Sequence, residues 1–163
     1  MPVLTTHRRR TLTVTAALLL LAYLLIVPAR SAHAADTNLS QGKTATASST
    51  ENAGGAAANA VDGNTGTRWS SAFSDPQWLQ VDLGATHPVS RVVLNWEAAF
   101  ARAFTIQTSP DGATWTTVFS TTTGAGGVQD LSLAGSGRFV RMNGTQRATA
   151  FGYSLLEFQV YGS

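Results

Sequence analysis

The chain has 163 residues, 12% of them charged, with 15 glycines and no cysteine. That is the length of about one domain, and the missing cysteines exclude a disulfide framework, a thiolate metal site and a cysteine nucleophile. Few charges with abundant Gly, Ser and Thr suit a turn-rich all-β protein better than a helical one.

The formal charge of +2 is unevenly distributed. His7-Arg8-Arg9-Arg10 is a basic stretch, residues 11–27 form an uncharged apolar run of 17, Pro28 ends it, and Ala32-His33-Ala34 has the small-x-small form of a cleavage site. In that order the three parts predict a secretory signal peptide over residues 1–34 and an extracellular protein, with the cell wall as one destination. The alternative is an uncleaved anchor, for which a run of this length lies at the short limit. Cleavage after Ala34 would leave 129 residues and remove four of the eleven basic residues but no acid. Seven basic against nine acidic residues then remain, a net charge of −2. A nucleic-acid binder needs the opposite balance gathered on one face, so that class is excluded. Without cysteine, an exported domain must draw its stability from core packing, a bound ion or both.

In chain order, the polar segment 36–49 is predicted to lie along the surface as an edge. Alternating apolar runs follow at 78–83, 89–96 (after a His87-Pro88 turn) and 104–108. Ser109-Pro110-Asp111-Gly112 is a strong turn signal. Further strands are predicted at 114–120, 128–133, 138–142 and 155–161, with a glycine-rich loop at 124–127. Short strands at regular spacing, with no helical periodicity after the leader, argue one β-sandwich domain over residues 35–163. Trp69, Trp78 and Trp115 are expected to pack in or beside the sheets. Trp96 stands next to Glu97 and could serve either packing or a site.

An oxygen-rich loop, Asn59-Ala60-Val61-Asp62-Gly63-Asn64-Thr65-Gly66-Thr67, gathers carboxylate, amide, hydroxyl and carbonyl oxygens of the kind a hard cation such as calcium takes. The same loop could instead be an Asx turn that satisfies itself. A second constellation joins acids to aromatics: Glu51 in a Ser/Thr/Asn loop, Glu97 at a strand end, Phe73 in Ser70-Ser71-Ala72-Phe73-Ser74-Asp75, and Phe151 and Tyr153 before the last strand. Ionised carboxylates accept from sugar hydroxyls, and the C–H face of a pyranose packs on aromatic rings. Arg68, Arg138 and Arg141 are expected to anchor the fold, whereas Arg147 is the arginine expected to reach a ligand.

Several motifs together resemble the discoidin family, the coagulation factor V/VIII type C domains. They are Gly42-Lys43-Thr44-Ala45-Thr46-Ala47-Ser48-Ser49, Ala60-Val61-Asp62-Gly63-Asn64, Thr67-Arg68-Trp69, Gln77-Trp78-Leu79-Gln80-Val81-Asp82-Leu83-Gly84, Ser109-x-Asp111-Gly112-x-x-Trp115, Arg138-x-Val140-Arg141 and Glu157-x-x-Val160-Tyr161-Gly162. The resemblance runs through the whole segment after the leader. It implies a jelly-roll β-sandwich of the galactose-binding-domain type with ligand loops at one end. Modules of this fold on bacterial secreted enzymes form carbohydrate-binding module family 32.

Ser48-Ser49-Thr50-Glu51, the segment 94–104 around Glu97, and the segment 147–155 around Phe151 are similar to modules that bind β-linked glucose or glucosamine chains. Phe100, Phe104 and Phe151 stand where those modules usually carry Tyr. The resemblance further implies a structural Ca2+ held by the carbonyls of Asn59, Asn64, Thr67 and Leu156 and the side chains of Asp62, Thr67 and Glu157.

These readings converge on a non-catalytic module for β-glucan or chitosan-type oligosaccharides and polysaccharides. The expected binding residues are Glu51, Phe73, Glu97, Arg147, Phe151 and Tyr153. A monomer is expected, with neither nucleic acid nor membrane as partner after cleavage. Two alternatives stay open. One is a galactose or N-acetyl-hexosamine binder, though no histidine falls in the candidate loops. The other is an adhesion domain for membranes or cell surfaces, which would want lysine and arginine around apolar tips; Lys43 is the one lysine present. Two carboxylates could also make a glycosidase. However, no room for a separate catalytic domain is expected, and His87, beside Pro88, offers no triad base.

Overall fold

The computed structural model describes residues 37–162, so the leader and the expected cleavage after Ala34 lie outside the described residues. Seven strands follow one another: β1 (Thr44–Ala47), β2 (Trp69–Ser70), β3 (Gln77–Trp96), β4 (Ala101–Ser109), β5 (Thr116–Thr121), β6 (Val128–Arg147) and β7 (Ser154–Tyr161). Among the described residues the helical pieces are two short 3-10 turns, Ala53–Gly55 and Ala57–Val61. All strand pairs are antiparallel. As the polar sequence of 36–49 predicted, β1 is an edge that pairs β3 alone.

Where the sequence predicts separate strands at 78–83 and 89–96, and at 128–133 and 138–142, the structure joins each pair into one strand of 20 residues. The two long strands run antiparallel, residues 77–82 against 139–144 and 91–95 against 128–132. Held straight, 20 residues would extend ~66 Å, against a radius of gyration of about 14 Å for a domain of this size, so the pair must bend. It bends where the register shifts, between Asp82 and His87 and between Val89 and Arg91. There Gly84 takes φ 88°, in the left-handed region open to glycine. On β6, Gly137, the partner of His87, lies so near Ser109 that a Cβ would meet the Ser109 carbonyl oxygen at 2.8 Å. His87-Pro88 therefore belongs to a corner within a strand and not to a chain reversal.

Each long strand runs out in one layer and returns in the other. The first layer reads β1-β3-β6-β4-β5 and the second β2-β7-β3-β6, with β3 and β6 shared. Alternation decides what faces inward: Leu79, Val81, Ile106, Val140 and Met142 from one layer and Val92, Leu94, Leu155, Phe158 and Val160 from the other are all buried. Trp96 is buried as well, packs obliquely on Phe104 at 6.0 Å, and donates its indole N–H to Gln129 at 2.7 Å. Trp69 is fully buried and donates to the Ser49 carbonyl. On the outer face of the first layer the Arg141 guanidinium stacks over half-buried Trp115 at 3.9 Å and donates to Gln107. Arg138 grips Asp82 through two bonds of 2.7 Å. Arg138 and Arg141 thus anchor the fold as expected.

Pairing of Gln77 with Gly144, Asn95 with Val128 and Ala101 with Arg147 brings both ends of β3 and β6 to the same end of the sandwich. The loops 48–52, 71–76, 97–100 and 148–153 meet there.

At the β4–β5 turn, Asp111 accepts the N–H groups of Thr114 and Ala113 and the Ser109 hydroxyl, and these bonds hold its carboxyl down at about 2, below its ordinary 3.8. A depressed carboxyl contributes stability above its unfolded value and loses it as pH falls through the folded one. Asp111→Asn is therefore expected to melt below the wild type at pH 7, with the gap closing as pH falls from 3.8 to about 2. A gap in melting temperature independent of pH would contradict this account.

Candidate functional site

The meeting loops enclose an open hollow of about 350 Å³, within the size range of small-molecule sites. Its wall carries Glu51, Glu97 and Arg68, the aromatic rings of Phe73 and Phe151, and the small residues Ala98, Ala99 and Gly152. Ser70, Ser71, Ser154, Thr149 and Tyr153 complete its surface.

Each functional group is held by backbone contacts between neighbouring loops. The Glu51 N–H donates to the Ser70 carbonyl at 2.8 Å, which sets the first acid beside the end of β2. Glu97 follows buried Trp96, and its N–H donates to the Ser154 carbonyl at 3.0 Å. The Glu97 Oε2 accepts the Ala99 N–H at 3.1 Å, and this local bond points the carboxylate before any ligand arrives. Phe73 and Phe151 are 50% and 63% exposed, and their rings meet edge to face with centroids 5.8 Å apart. Large apolar rings left side by side in solvent mark an interaction surface. Five of the six residues expected to bind a ligand, Glu51, Phe73, Glu97, Phe151 and Tyr153, thus line one hollow.

Tyr153 lines the hollow from below with its ring buried, whereas Arg147 stands outside it. Tyr153 is fully buried and its hydroxyl donates to Asp75 Oδ1. Burial and the adjacent Asp75 carboxylate push its pKa well above the usual phenol range. The ring packs so closely on Gly144 that a Cβ there would come within 2.5 Å of Tyr153 Cε1. Tyr153 is therefore a floor beneath the hollow and offers no ring face to a ligand. Arg147 does not line the hollow. Its Nε donates to Asp75 Oδ2 at 3.3 Å and its Nη1 to the carbonyls of Ala150 and Phe151 at 3.2 and 3.3 Å, so it braces the loop that carries Phe151.

Arg68 takes the position expected of Arg147. It is exposed, it lines the hollow, and among the described residues its guanidinium makes no hydrogen bond or ion pair. A signal for this was present in the alternation: with Trp69 inward, its neighbour must point away from the core. His87 sits at the corner of β3 opposite Gly137, outside this site.

The oxygen-rich loop packs against β7. Asp62 Oδ1 accepts the Asn64 N–H at 2.8 Å, and its Oδ2 accepts the Thr67 hydroxyl at 2.7 Å, so part of the loop does satisfy itself as an Asx turn would. Glu157 is different. It is 3% exposed and neither carboxylate oxygen has a hydrogen-bond partner. Burial first, and the Asp62 carboxylate second, push its pKa upward, against a smaller downward pull from the nearby backbone N–H groups of Gly63 and Asn64. A buried carboxylate facing another acid without a partner is costly unless a cation lies between them. The donor set, two carboxylates with a hydroxyl and carbonyls, is one that a hard cation accepts.

Known proteins share this architecture. The model of the F5/8 type C domain matches residues 44–158. Chitosan-binding module 1 of a chitosanase/glucanase from Paenibacillus sp. IK-5 is 53% identical, with a TM-score of 0.75 over 77% of this chain and 99% of that one. Module 2 of the same enzyme, solved in complex with chitotriose, is 51% identical, with a TM-score of 0.74 over 77% of this chain and 100% of that one. The family 32 carbohydrate-binding module of NanJ from C. perfringens, solved with galactose, is 25% identical, with a TM-score of 0.68 over 77% and 98% of the two chains. A polysaccharide lyase 8 family protein, HylA, of Enterococcus faecalis is 40% identical over 68 residues, which is 42% of this chain and 5% of that much longer protein. With the family model spanning most of the strands and a jelly-roll sandwich beneath it, the chain belongs to the F5/8 type C domain family.

Proposed function

We propose that this protein is a non-catalytic carbohydrate-binding module and that its loop-end hollow takes β-linked glucosamine chains of the chitosan type, with neutral β-glucans as weaker relatives of that ligand. The observation that carries the reading is the convergence of Glu51 and Glu97 with the exposed Phe73–Phe151 pair in one hollow. A glucosamine ammonium donates charge-assisted hydrogen bonds to carboxylates, and the apolar face of the sugar packs on the rings. Arg68 supplies donors for hydroxyl oxygens and leaves the three charged side chains of the wall at a net −1. The similarity to modules named for chitosan binding, one of them solved with chitotriose, supports the same ligand class. The leader over residues 1–34 is read as its export signal, which would put the module where polymeric glycans lie.

An anionic membrane is a poorer fit. The exposed rings are flanked by Glu51 and Glu97, whereas Lys43 lies beside Gly84 at the opposite corner of the fold. Calorimetry of the purified protein with chitotriose, cello- and laminari-oligosaccharides and galactose tests the assignment. Chitotriose should bind most tightly, and Glu97→Ala and Glu51→Ala should each weaken it about tenfold or more, the loss expected for a charge-assisted hydrogen bond. Unchanged affinity in both variants would remove the site.

A structural Ca2+ is the second part of the proposal. It would be held by the side chains of Asp62, Thr67 and Glu157 and by the carbonyls of Asn59, Asn64, Thr67 and Leu156, and it would supply the charge that the buried Glu157 carboxylate lacks. Because a ligand of the folded state stabilises by mass action, calcium added to chelator-treated protein should raise the melting temperature by several degrees. Glu157→Gln should abolish that response. A wild-type melting curve indifferent to calcium would exclude the ion.

A further inference from the structure

Four hydrogen bonds tie the segment 71–76 to the segment 147–153, and they fall on either side of Phe73. On one side Ser71 N–H donates to the Tyr153 carbonyl at 2.9 Å, and Ser71 Oγ accepts the Tyr153 N–H at 2.9 Å. On the other side, among the described residues, both bonds end on one carboxylate: Asp75 Oδ1 accepts the Tyr153 hydroxyl and Oδ2 accepts Arg147 Nε. Arg147 in turn holds the carbonyls of Ala150 and Phe151. Asp75 does not line the hollow, and its side chain and that of Arg147 are 32% and 23% exposed. The anchor beneath it is rigid, because Tyr153 is fully buried against Gly144.

From this geometry we infer that Asp75 is a positioning residue: through Tyr153 and Arg147 it holds Phe73 edge-on to Phe151 and so sets the affinity of the aromatic corner without touching the ligand. The inference rests on the carbohydrate reading above for its ligand but not for its geometry. Phe73 stands midway between the two anchors, Ser71 and Asp75. Release of the second anchor leaves the ring on a segment fixed at one end, and binding must then order a side chain that the wild type holds in place before the ligand arrives.

The test combines affinity with a structural readout. Calorimetry with chitotriose is run on the wild type, Asp75→Ala, Tyr153→Phe, Phe73→Ala and the Phe73→Ala/Asp75→Ala double variant, with the Phe73–Phe151 ring-to-ring nuclear Overhauser effects recorded for each variant that retains both rings. Asp75→Ala is expected to bind about tenfold more weakly, the scale of losing a charged hydrogen bond, and to lose the ring-to-ring contacts. Tyr153→Phe keeps the buried ring and should show a smaller loss of the same kind, which preserves the test if Asp75→Ala does not fold. The double variant should bind no more weakly than Phe73→Ala alone, since a positioning residue has nothing left to position.

Full ring-to-ring contacts in Asp75→Ala, wild-type affinity, or an Asp75 penalty undiminished in the Phe73→Ala background would each overturn the inference. If the wild type itself binds none of the glycans, the carbohydrate reading fails. The ring contacts then still decide: their loss on removing Asp75 supports its positioning role, and their persistence overturns it.

Discussion

The pairing of β3 with β6 is the constraint from which the rest follows. Two strands of 20 residues each stay paired antiparallel through both layers, with register shifts only at the corner between them. They can do so within a domain of this size only by bending together at Gly84 and Gly137. The bend returns each strand to the end from which it started, so residues 77, 96, 128 and 147 share one rim, and the loops that leave them are neighbours in space although far apart in sequence. A sandwich of short independent strands would have required each loop to be placed separately. Here one ladder of backbone hydrogen bonds places four of them, and the buried faces of the same two strands supply much of the core.

That economy continues in how the loops are fastened. Glu51 N–H reaches Ser70, Ser71 N–H reaches Tyr153, Glu97 N–H reaches Ser154, Ser154 N–H reaches Ala99 and Ala148 N–H reaches Phe100. Ala72 N–H also reaches the Ser49 hydroxyl, and Gln77 accepts from both Ser48 and Ser49. The loops 48–52, 71–76, 97–100 and 148–153 are therefore each bonded to a neighbour around the hollow as well as to their own strands. Order established in the free protein lowers the entropy to be lost on association, which matters for a shallow site whose individual contacts with a solvated glycan are weak.

Strand positions, the edge character of β1, the packing of Trp69 and the two site glutamates were legible in the sequence because each depends on local alternation or on a motif. What was not legible depends on partners remote in the chain. The His87-Pro88 corner read as a turn, and the runs 128–133 and 138–142 read as separate strands, since a glycine that bends a strand and one that ends it carry the same local signal. Phe73, Phe151 and Tyr153 are all aromatic residues in polar loops. Only the contact with Gly144 and the bond to Asp75 make Tyr153 a floor while the other two stay in solvent. Arg68 and Arg147 exchanged roles for the same reason: Asp75, 72 positions away from Arg147, claims one guanidinium, and nothing described claims the other.

The acidic loop and the hollow are adjacent by necessity. Thr67, whose hydroxyl bonds Asp62, is followed by Arg68 on the wall of the hollow, then by fully buried Trp69 and by Ser70, whose carbonyl receives Glu51. Asn59 clamps this segment from the other side, donating to the Arg68 carbonyl at 3.0 Å. The orientation of Arg68 and the position of Glu51 thus both descend from the packing of the loop 59–67 against β7, where Glu157 lies buried without a partner. In a domain with no disulfide, this four-residue segment carries the order of the buried carboxylate's surroundings to the open site.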